Sequence, residues 1–416
     1  MLINRHLPPV IILGGDENAL SVARSLGQEG IRVFAIGDRN SWVRYSRFCN
    51  FIAVPPQGNA GESWIRYLTG LDSAHLRGAV LLACSDTAIE FIAKHREVLL
   101  DRFVLDESNK EAQLCMLDKL QTYRNAVVAG VPTPRFWHDQ TPDQIMRLRD
   151  ALVFPLLVKP LYSHLFQKQF GRKFFVVQNV NELMEVVNRV QETSAQTMLV
   201  EMIPGPDDRL CSYYTYLDAA GNPLFDFTKR VIRRFPTHSG GGCYHITDKV
   251  PKIRELSLKL FRQVKLMGLA NVEFKLDERD GQLKLIECNA RFTAANCLLT
   301  DSGYDLALFV YNRLVGRPQQ QWGDYPVGKR LWYPLSDLKE CFKLRQREQI
   351  TLLQWLRSVL HIQSLPYFRW YDPLPSMVRW FHEMWQWIVL KNFPKSVVAL
   401  KGGNAAVSRN AGTRQN

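Results

Sequence analysis

The sequence predicts an α/β chain in three parts: a doubly wound parallel sheet, an α+β body, and a helical extension at the end. Three observations carry that reading. Short apolar runs alternate with amphipathic helical stretches through the N-terminal third, the pattern of a parallel sheet wrapped by helices. Runs that alternate polar and apolar residues follow one another between positions 198 and 292, the period of half-buried strands. Past Pro318 the composition turns basic and rich in Trp.

The elements follow in order. VIIL (10–13) is a short buried strand. GGDENALSVARSLGQEG supplies a turn, a helix with Ala19, Leu20, Val22, Ala23 and Leu26 on its apolar side, and a glycine stop. VFAIG (33–37) and AVLLACS (79–85) are further strands, and a helix runs from about 86 to 95. The Gly14-Gly15 turn, with Asp38 after the second strand, invites a dinucleotide reading. GGDENA departs from GxGxxG, however, and a structural tight turn accounts for it as well. Helical spacing covers 120–130. FPLLVK (154–159) is a strand stopped by Pro160, and SHLFQKQFGRK reads as a basic turn able to close over phosphates. A helix at 181–192 and the strand MLVEMI (198–203) follow, the latter ending in PGPDD. Segments 213–217, 224–227 and 229–233 alternate like antiparallel strands. FPTHSGGGC is a loop, His238 and His245 read as polar loop residues, and 252–267 is a helix.

Composition narrows the class. A chain of 416 residues with 46% hydrophobic and 22% charged content is long enough for two or three domains with real cores. MLINRHLPPV is too short and polar for a signal peptide, and no apolar run approaches the roughly 20 residues needed to span a bilayer. The eight cysteines are scattered with no CxxC pair, which points to free thiols in a reducing cytoplasm.

The stretch VEFKLDERDGQLKLIECNARF (272–292) reads as a hairpin whose turn centres near Asp280. That register sets Glu273 directly across from Glu287. Asn289 and Arg291 share the face if the strand stays regular. Like charges facing each other in a ladder repel, by roughly 3 kcal/mol at about 5 Å and an effective dielectric near 20. A cation reverses the sign: two carboxylates and an amide oxygen are hard ligands suited to Mg²⁺ held with substrate phosphates. An exposed hairpin with a charged solvent face is the competing account.

In this order the pieces resemble the ATP-grasp superfamily, over about residues 1–318. The matching features are Lys119 after Asp118, Lys159 in FPLLVKP, Glu201 in LVEMIPGPDD, Glu273 in VEFK, and Glu287-x-Asn289-x-Arg291. The chain looks similar to the carboxylate–amine ligase branch that includes D-aspartate ligase-like proteins. The resemblance implies a pre-ATP-grasp domain at 1–117, a two-lobed ATP-grasp domain at 118–318 and an extension at 319–416. It implies ATP and Mg²⁺ (or Mn²⁺) as cofactors, and a small carboxylate and an amine, of an amino acid, as substrates. Lys119 and Lys159 would reach phosphates. Glu201 to Ile203 would form the hinge, with Met202 and Ile203 at the adenine edge, and Asp208 or Asp207 would take the ribose. Glu273, Glu287 and Asn289 would hold the metal, and Arg291 would stabilise the acyl phosphate. The family's glycine-rich loop is not matched by SHLFQKQFGRK, where Lys168 or Lys173 would substitute side-chain charge. Arg233, on a basic strand before HSGGGC, is a candidate contact for the acceptor or the acyl phosphate, unless it is one of the charges facing water.

The extension holds 14 Lys and Arg against 6 Asp and Glu, and seven of the ten tryptophans. SMVRWFHEMWQWIVLKNFPK carries Met377, Trp380, Phe381, Met384, Trp385 and Ile388 at helical spacing. Peripheral contact with the inner face of a membrane, packing on the ligase body, and a homodimer interface all stay open. The residues from about 402 read as a disordered tail. Basic charge permits nucleic-acid binding, but no reader motif supports it. Three function classes remain: a ligase, a nucleotide-dependent oxidoreductase using the N-terminal unit, and a silent scaffold tethered through the C-terminus.

Overall fold

The four residues of β1 (Val10–Leu13) are fully buried, which places this strand inside a sheet. In the computed structural model, which describes residues 7–55, 59–138, 141–193 and 195–392, β1 lies between β2 (Val33–Ile36) and β4 (Val80–Ala83), with β3 (Asn50–Ile52) outside β2. All pairings are parallel, with Val10 opposite both Val33 and Val80. The Gly14-Gly15 turn serves packing. Gly15 has φ +84°, and a Cβ there would come within 2.6 Å of the Cys84 side chain.

A second sheet is antiparallel in the order β5-β8-β6-β7: β5 (Phe136–Trp137), β6 (Leu156–Pro160), β7 (Phe175–Val177) and β8 (Thr197–Glu201). The helix Val180–Gln191 buries Leu183, Val187 and Val190 against it. The expected basic turn after β6 is instead the helix Ser163–Phe170, closed by Gly171 at φ +65°. Phe166 and Phe170 are four residues apart, so one helical face presents both rings to Phe175, at 5.7 and 5.6 Å between centroids. That aromatic cluster outweighs the charge pattern that suggested a loop.

The third sheet has seven strands: β9 (Leu210–Leu217), β10 (Phe227–Phe235), β11 (Gly241–Thr247), β12 (Gly268–Asp277), β13 (Gln282–Asn289), β14 (Arg330–Trp332) and β15 (Gln363–Ser364). Their order is β13-β12-β9-β10-β11-β14-β15. The two short strands expected at 224–233 are the single strand β10, and the end of HSGGGC belongs to β11. The helix after β11 is Pro251–Gln263, shorter than expected, with Lys265 at φ +54° ending its path. The chain divides into compact units at Met1–Pro366 and Tyr367–Asn416, so residues 319–366 go with the first unit. The reason is structural: β14 and β15 extend the large sheet, and the helix Pro334–Gln346 buries Asp337, Glu340 and Cys341.

In the second unit the helix Leu374–Asn392 leaves Leu374, Met377, Trp380, Phe381, Met384 and Trp385 exposed. The side chain of Ile388 and the expected tail lie outside the described residues. No described helix is long and apolar enough to cross a membrane. All eight cysteines are free.

Candidate active site

The hairpin of β12 and β13 sets Glu273 opposite Glu287, as the turn position predicts. The next pair is Phe274 with Leu285, so Ile286 bulges out of the ladder. Its carbonyl is thereby available to side chains. Tyr123 Oη donates to it at 3.0 Å and Lys159 Nζ at 3.3 Å. Lys159 ends β6 and is 6% exposed. Asp118 caps the helix Lys119–Val128, and the Lys119 N–H donates to the Leu161 carbonyl, which sets Lys119 beside the end of β6.

These charges tune one another. Burial raises the Glu287 carboxyl, but Lys119, Lys173 and Lys159 together outweigh it and hold the group below the usual glutamate range. Glu273 moves the other way: burial first, then the Glu287 charge, push it up against Lys229, Arg234 and Lys173. Burial, reinforced by Lys119 and Arg234, lowers Lys159 to about 8 despite both glutamates. A pair in which one carboxylate resists ionisation is a pair that a cation would relieve. Among the described residues no three His, Cys, Asp or Glu cluster as a cage. A divalent ion would therefore rely on Glu273, Glu287 and the Asn289 amide together with phosphate oxygens. That hard, incomplete donor set fits Mg²⁺ shared with a nucleotide.

β13 ends at Asn289, so Arg291 lies beyond the regular strand and turns back on it. Its Nη2 donates to Asn289 Oδ1 at 2.9 Å, and its Nε donates to Asp86 Oδ1 at 2.5 Å. Asp86 opens the helix Asp86–Lys94 of the N-terminal sheet. Asn18 ties the same places together by donating to the carbonyls of Cys84 (2.6 Å) and Phe292 (2.9 Å).

On the far side of Glu273 the buried Lys229 donates to Ser212 Oγ at 3.0 Å and lies 3.3 Å from His245 Nδ1. Burial and then Lys229 hold His245 well below its ordinary pKa, so its ring is neutral. With Nδ1 facing an ammonium, the Nε2 proton goes to the Gly242 carbonyl at 3.0 Å. His245 is thus a buried strand residue of β11, not a loop residue.

The hinge is built on Glu201 at the end of β8. Its carboxylate receives the Arg279 guanidinium at 2.7 Å and the Arg135 N–H at 3.2 Å. Burial raises this group, and the bonds from Arg279 and Arg135 bring it below the usual range. Both oxygens of the Glu201 carboxylate are thus taken within the chain. Met202 donates its N–H to the Pro155 carbonyl (3.3 Å), and buried Lys275 takes the carbonyls of Ile203 (3.0 Å) and Gly205 (2.8 Å). No bond within the chain occupies the Ile203 N–H among the described residues.

Beyond the hinge a cleft of about 640 Å³ is lined by Asp207, Asp208, Arg233, Arg234, His238 and Glu340 among others. Asp208 Oδ1 has no hydrogen-bond partner among the described residues. The His238 N–H donates to Asp207 Oδ2 at 3.0 Å. Arg233 does not join the glutamate pair. Its fork is spent on buried Asp337, at 2.6 and 2.8 Å, and Nη1 donates to Ser358 Oγ. Lys173 is exposed after Gly171, and the Lys168 side chain lies outside the described residues. Tyr123, Asp86 and Glu340 carried no sequence signal of their own, since each is held by a partner distant in the chain.

A family model described as the carbamoyl-phosphate synthase L chain, ATP binding domain, matches residues 245–316. D-aspartate ligase of Enterococcus faecium is 24% identical over 341 residues, 77% of this chain and 81% of that protein. Solved structures share the fold. The biotin carboxylase domain of 2-oxoglutarate carboxylase from Hydrogenobacter thermophilus, solved with MgADP, ADP and bicarbonate, superposes with a TM-score of 0.59 at 18% identity, covering 78% of this chain and 74% of its own. L-amino acid ligase from Bacillus licheniformis gives 0.56 at 18% identity, covering 74% of each chain. The chain has the ATP-grasp fold and resembles the carboxylate–amine ligases built on it.

Proposed function

We propose that this chain is an ATP-dependent carboxylate–amine ligase. The observation that carries the reading is the opposed pair Glu273 and Glu287, flanked by Lys159, Lys119 and Lys173 on one side and Lys229 on the other. Such a site neutralises the charge of a triphosphate, and phosphoryl transfer is mostly positioning and charge neutralisation.

The adenine acceptor nitrogen would take the Ile203 N–H, and Asp208 would take the ribose. Lys119, Lys159 and Lys173 would bind phosphates. Glu273, Glu287 and Asn289 would hold Mg²⁺, which would supply positive charge against that of the phosphates. The substrate carboxylate oxygen attacks the γ-phosphorus, forming an acyl phosphate while ADP leaves with the electron pair of the broken P–O bond. A neutral amine then attacks the acyl carbon, phosphate departs, and the amine loses a proton to give the amide. Arg291 faces the charge that builds on the acyl phosphate. Arg233 keeps a supporting role through Asp337. The likeness to D-aspartate ligase and L-amino acid ligase supports an amino acid as the amine.

Thermal unfolding with and without Mg²⁺–ATP tests this. Ligand at about 100 times its Kd stabilises a fold by roughly 2.7 kcal/mol. The expected result is a Mg²⁺-dependent rise in Tm for wild type that Glu287→Ala abolishes. An equal rise in both proteins removes the glutamate pair from the site.

A further inference from the structure

Glu340 lies on the helix Pro334–Gln346, outside residues 245–316 that the family model matches. It is 1% exposed and lines the cleft beyond the hinge. Oε1 accepts the Thr237 hydroxyl, whereas Oε2 is buried with no hydrogen-bond partner among the described residues. A buried carboxylate oxygen left bare needs a reason, because such groups are nearly always satisfied. Asp207 and Asp208 line the same cleft, with Asp207 Oδ1 3.3 Å from His238 Nδ1 and Asp208 Oδ1 3.8 Å from Arg209 Nη1.

A cleft lined by this unpartnered Glu340 carboxylate and by two aspartates suits a ligand that donates hydrogen bonds. Charge is already partly answered: His238 Nδ1 and Arg234 Nη1 stand 3.3 and 3.8 Å from Asp207, and Arg233 is matched by Asp337. No cation cage forms among the described residues. The lining of the cleft begins at Gly205, two residues after the hinge N–H of Ile203. A neutral diol attached to a base at the hinge meets all of these conditions.

We propose that Glu340 accepts a ribose hydroxyl of the bound nucleotide across the cleft from Asp208, so that the segment after Pro318 supplies the residue that distinguishes a ribonucleotide from its deoxy analogues. The proposal rests on the ligase reading. Thr237 is a positioning residue: its hydroxyl fixes Oε1 and turns the second oxygen to the ligand. A site built to bond a hydroxyl rejects the analogue that lacks it, because its own polar group is then left buried and unpaired.

The test is direct binding of ATP, 2′-deoxy-ATP and 3′-deoxy-ATP with Mg²⁺ to wild type, Glu340→Gln and Thr237→Val, with Tm in the absence of nucleotide reporting the fold. Wild type is expected to bind ATP at least about tenfold more tightly than one of the deoxynucleotides. Glu340→Gln, nearly isosteric, should weaken ATP by a similar factor while leaving that deoxynucleotide unchanged, and Thr237→Val should shrink the ratio less. A ratio unchanged by Glu340→Gln overturns the proposal, as does a raised KM for the amine with nucleotide binding intact. Equal binding of all three nucleotides by wild type overturns it while leaving the ligase reading in place. Failure of wild type to bind any of them removes both.

Discussion

Asp337 offers the sharpest test of how the site is supported. It is 0% exposed, and its two oxygens receive the Arg233 fork and the indole N–H groups of Trp332 and Trp355, each at 2.9 Å. The Arg233 side chain is only 10% exposed. In Asp337→Asn an amide replaces the carboxylate, so Arg233 loses its counter-charge and stays buried. Breaking a buried pair on one side costs about 3–5 kcal/mol, most of it the stranded partner. Removing both charges with Arg233→Met/Asp337→Asn should restore at least half of that loss, since the pair itself contributes little beyond its own desolvation. Urea unfolding followed by Trp fluorescence measures this directly, with Trp332 and Trp355 as reporters. A loss under about 1 kcal/mol for Asp337→Asn, or a double variant less stable than the single, would refute the reasoning. The double variant also separates roles: if it folds and still turns over ATP, Arg233 supports the sheet and does not touch the reaction.

Two further outcomes follow from the site. With Lys159 at about 8, ATP affinity should be flat below pH 8 and fall up to tenfold per pH unit above it, because a bound phosphate raises that pKa; titration calorimetry across pH should show the fall flattened in Lys159→Arg. The sign for stability is opposite: between about 8 and the ordinary 10.5 the unfolded chain holds more protons at Lys159 than the folded one, so this group makes unliganded stability rise with pH there. Lys275→Met should strip the donors from the Ile203 and Gly205 carbonyls, costing about 1–3 kcal/mol of stability and weakening ATP several-fold. Unchanged ATP affinity in that variant would dissociate the hinge from the base.

The hairpin was legible because a turn fixes register and register fixes what faces what. Glu273 and Glu287 are opposed for that reason alone. The Ile286 bulge was not legible, since its reward comes from Tyr123 and Lys159, 163 and 127 residues away in the chain. In SHLFQKQFGRK the charges stand out, but Phe166 and Phe170 are what the fold uses. The alternation of β10 was visible, yet nothing in it told which face was dry. Lys229 and Arg233 fall on the buried side because Ser212 and Asp337 wait there. Asp337 and Glu340 were hidden in a segment whose net charge is positive, where two acids look incidental.

The hold of Asp86 on Arg291 has a consequence for how the guanidinium can be recruited. Asp86 stands in the first turn of its helix, where unpaired backbone N–H groups and the helix dipole welcome a negative charge whether or not an arginine is present. Releasing Arg291 to an incoming anion therefore strands Asp86 far less than it would strand a carboxylate in an apolar pocket. If Arg291 meets the acyl phosphate as proposed, this contact would act as a latch with a low release cost, holding the arginine's orientation until an anion takes Asp86's place. On that reading the helix of the N-terminal sheet, 205 residues away in the chain, would help to set the cost of recruiting Arg291.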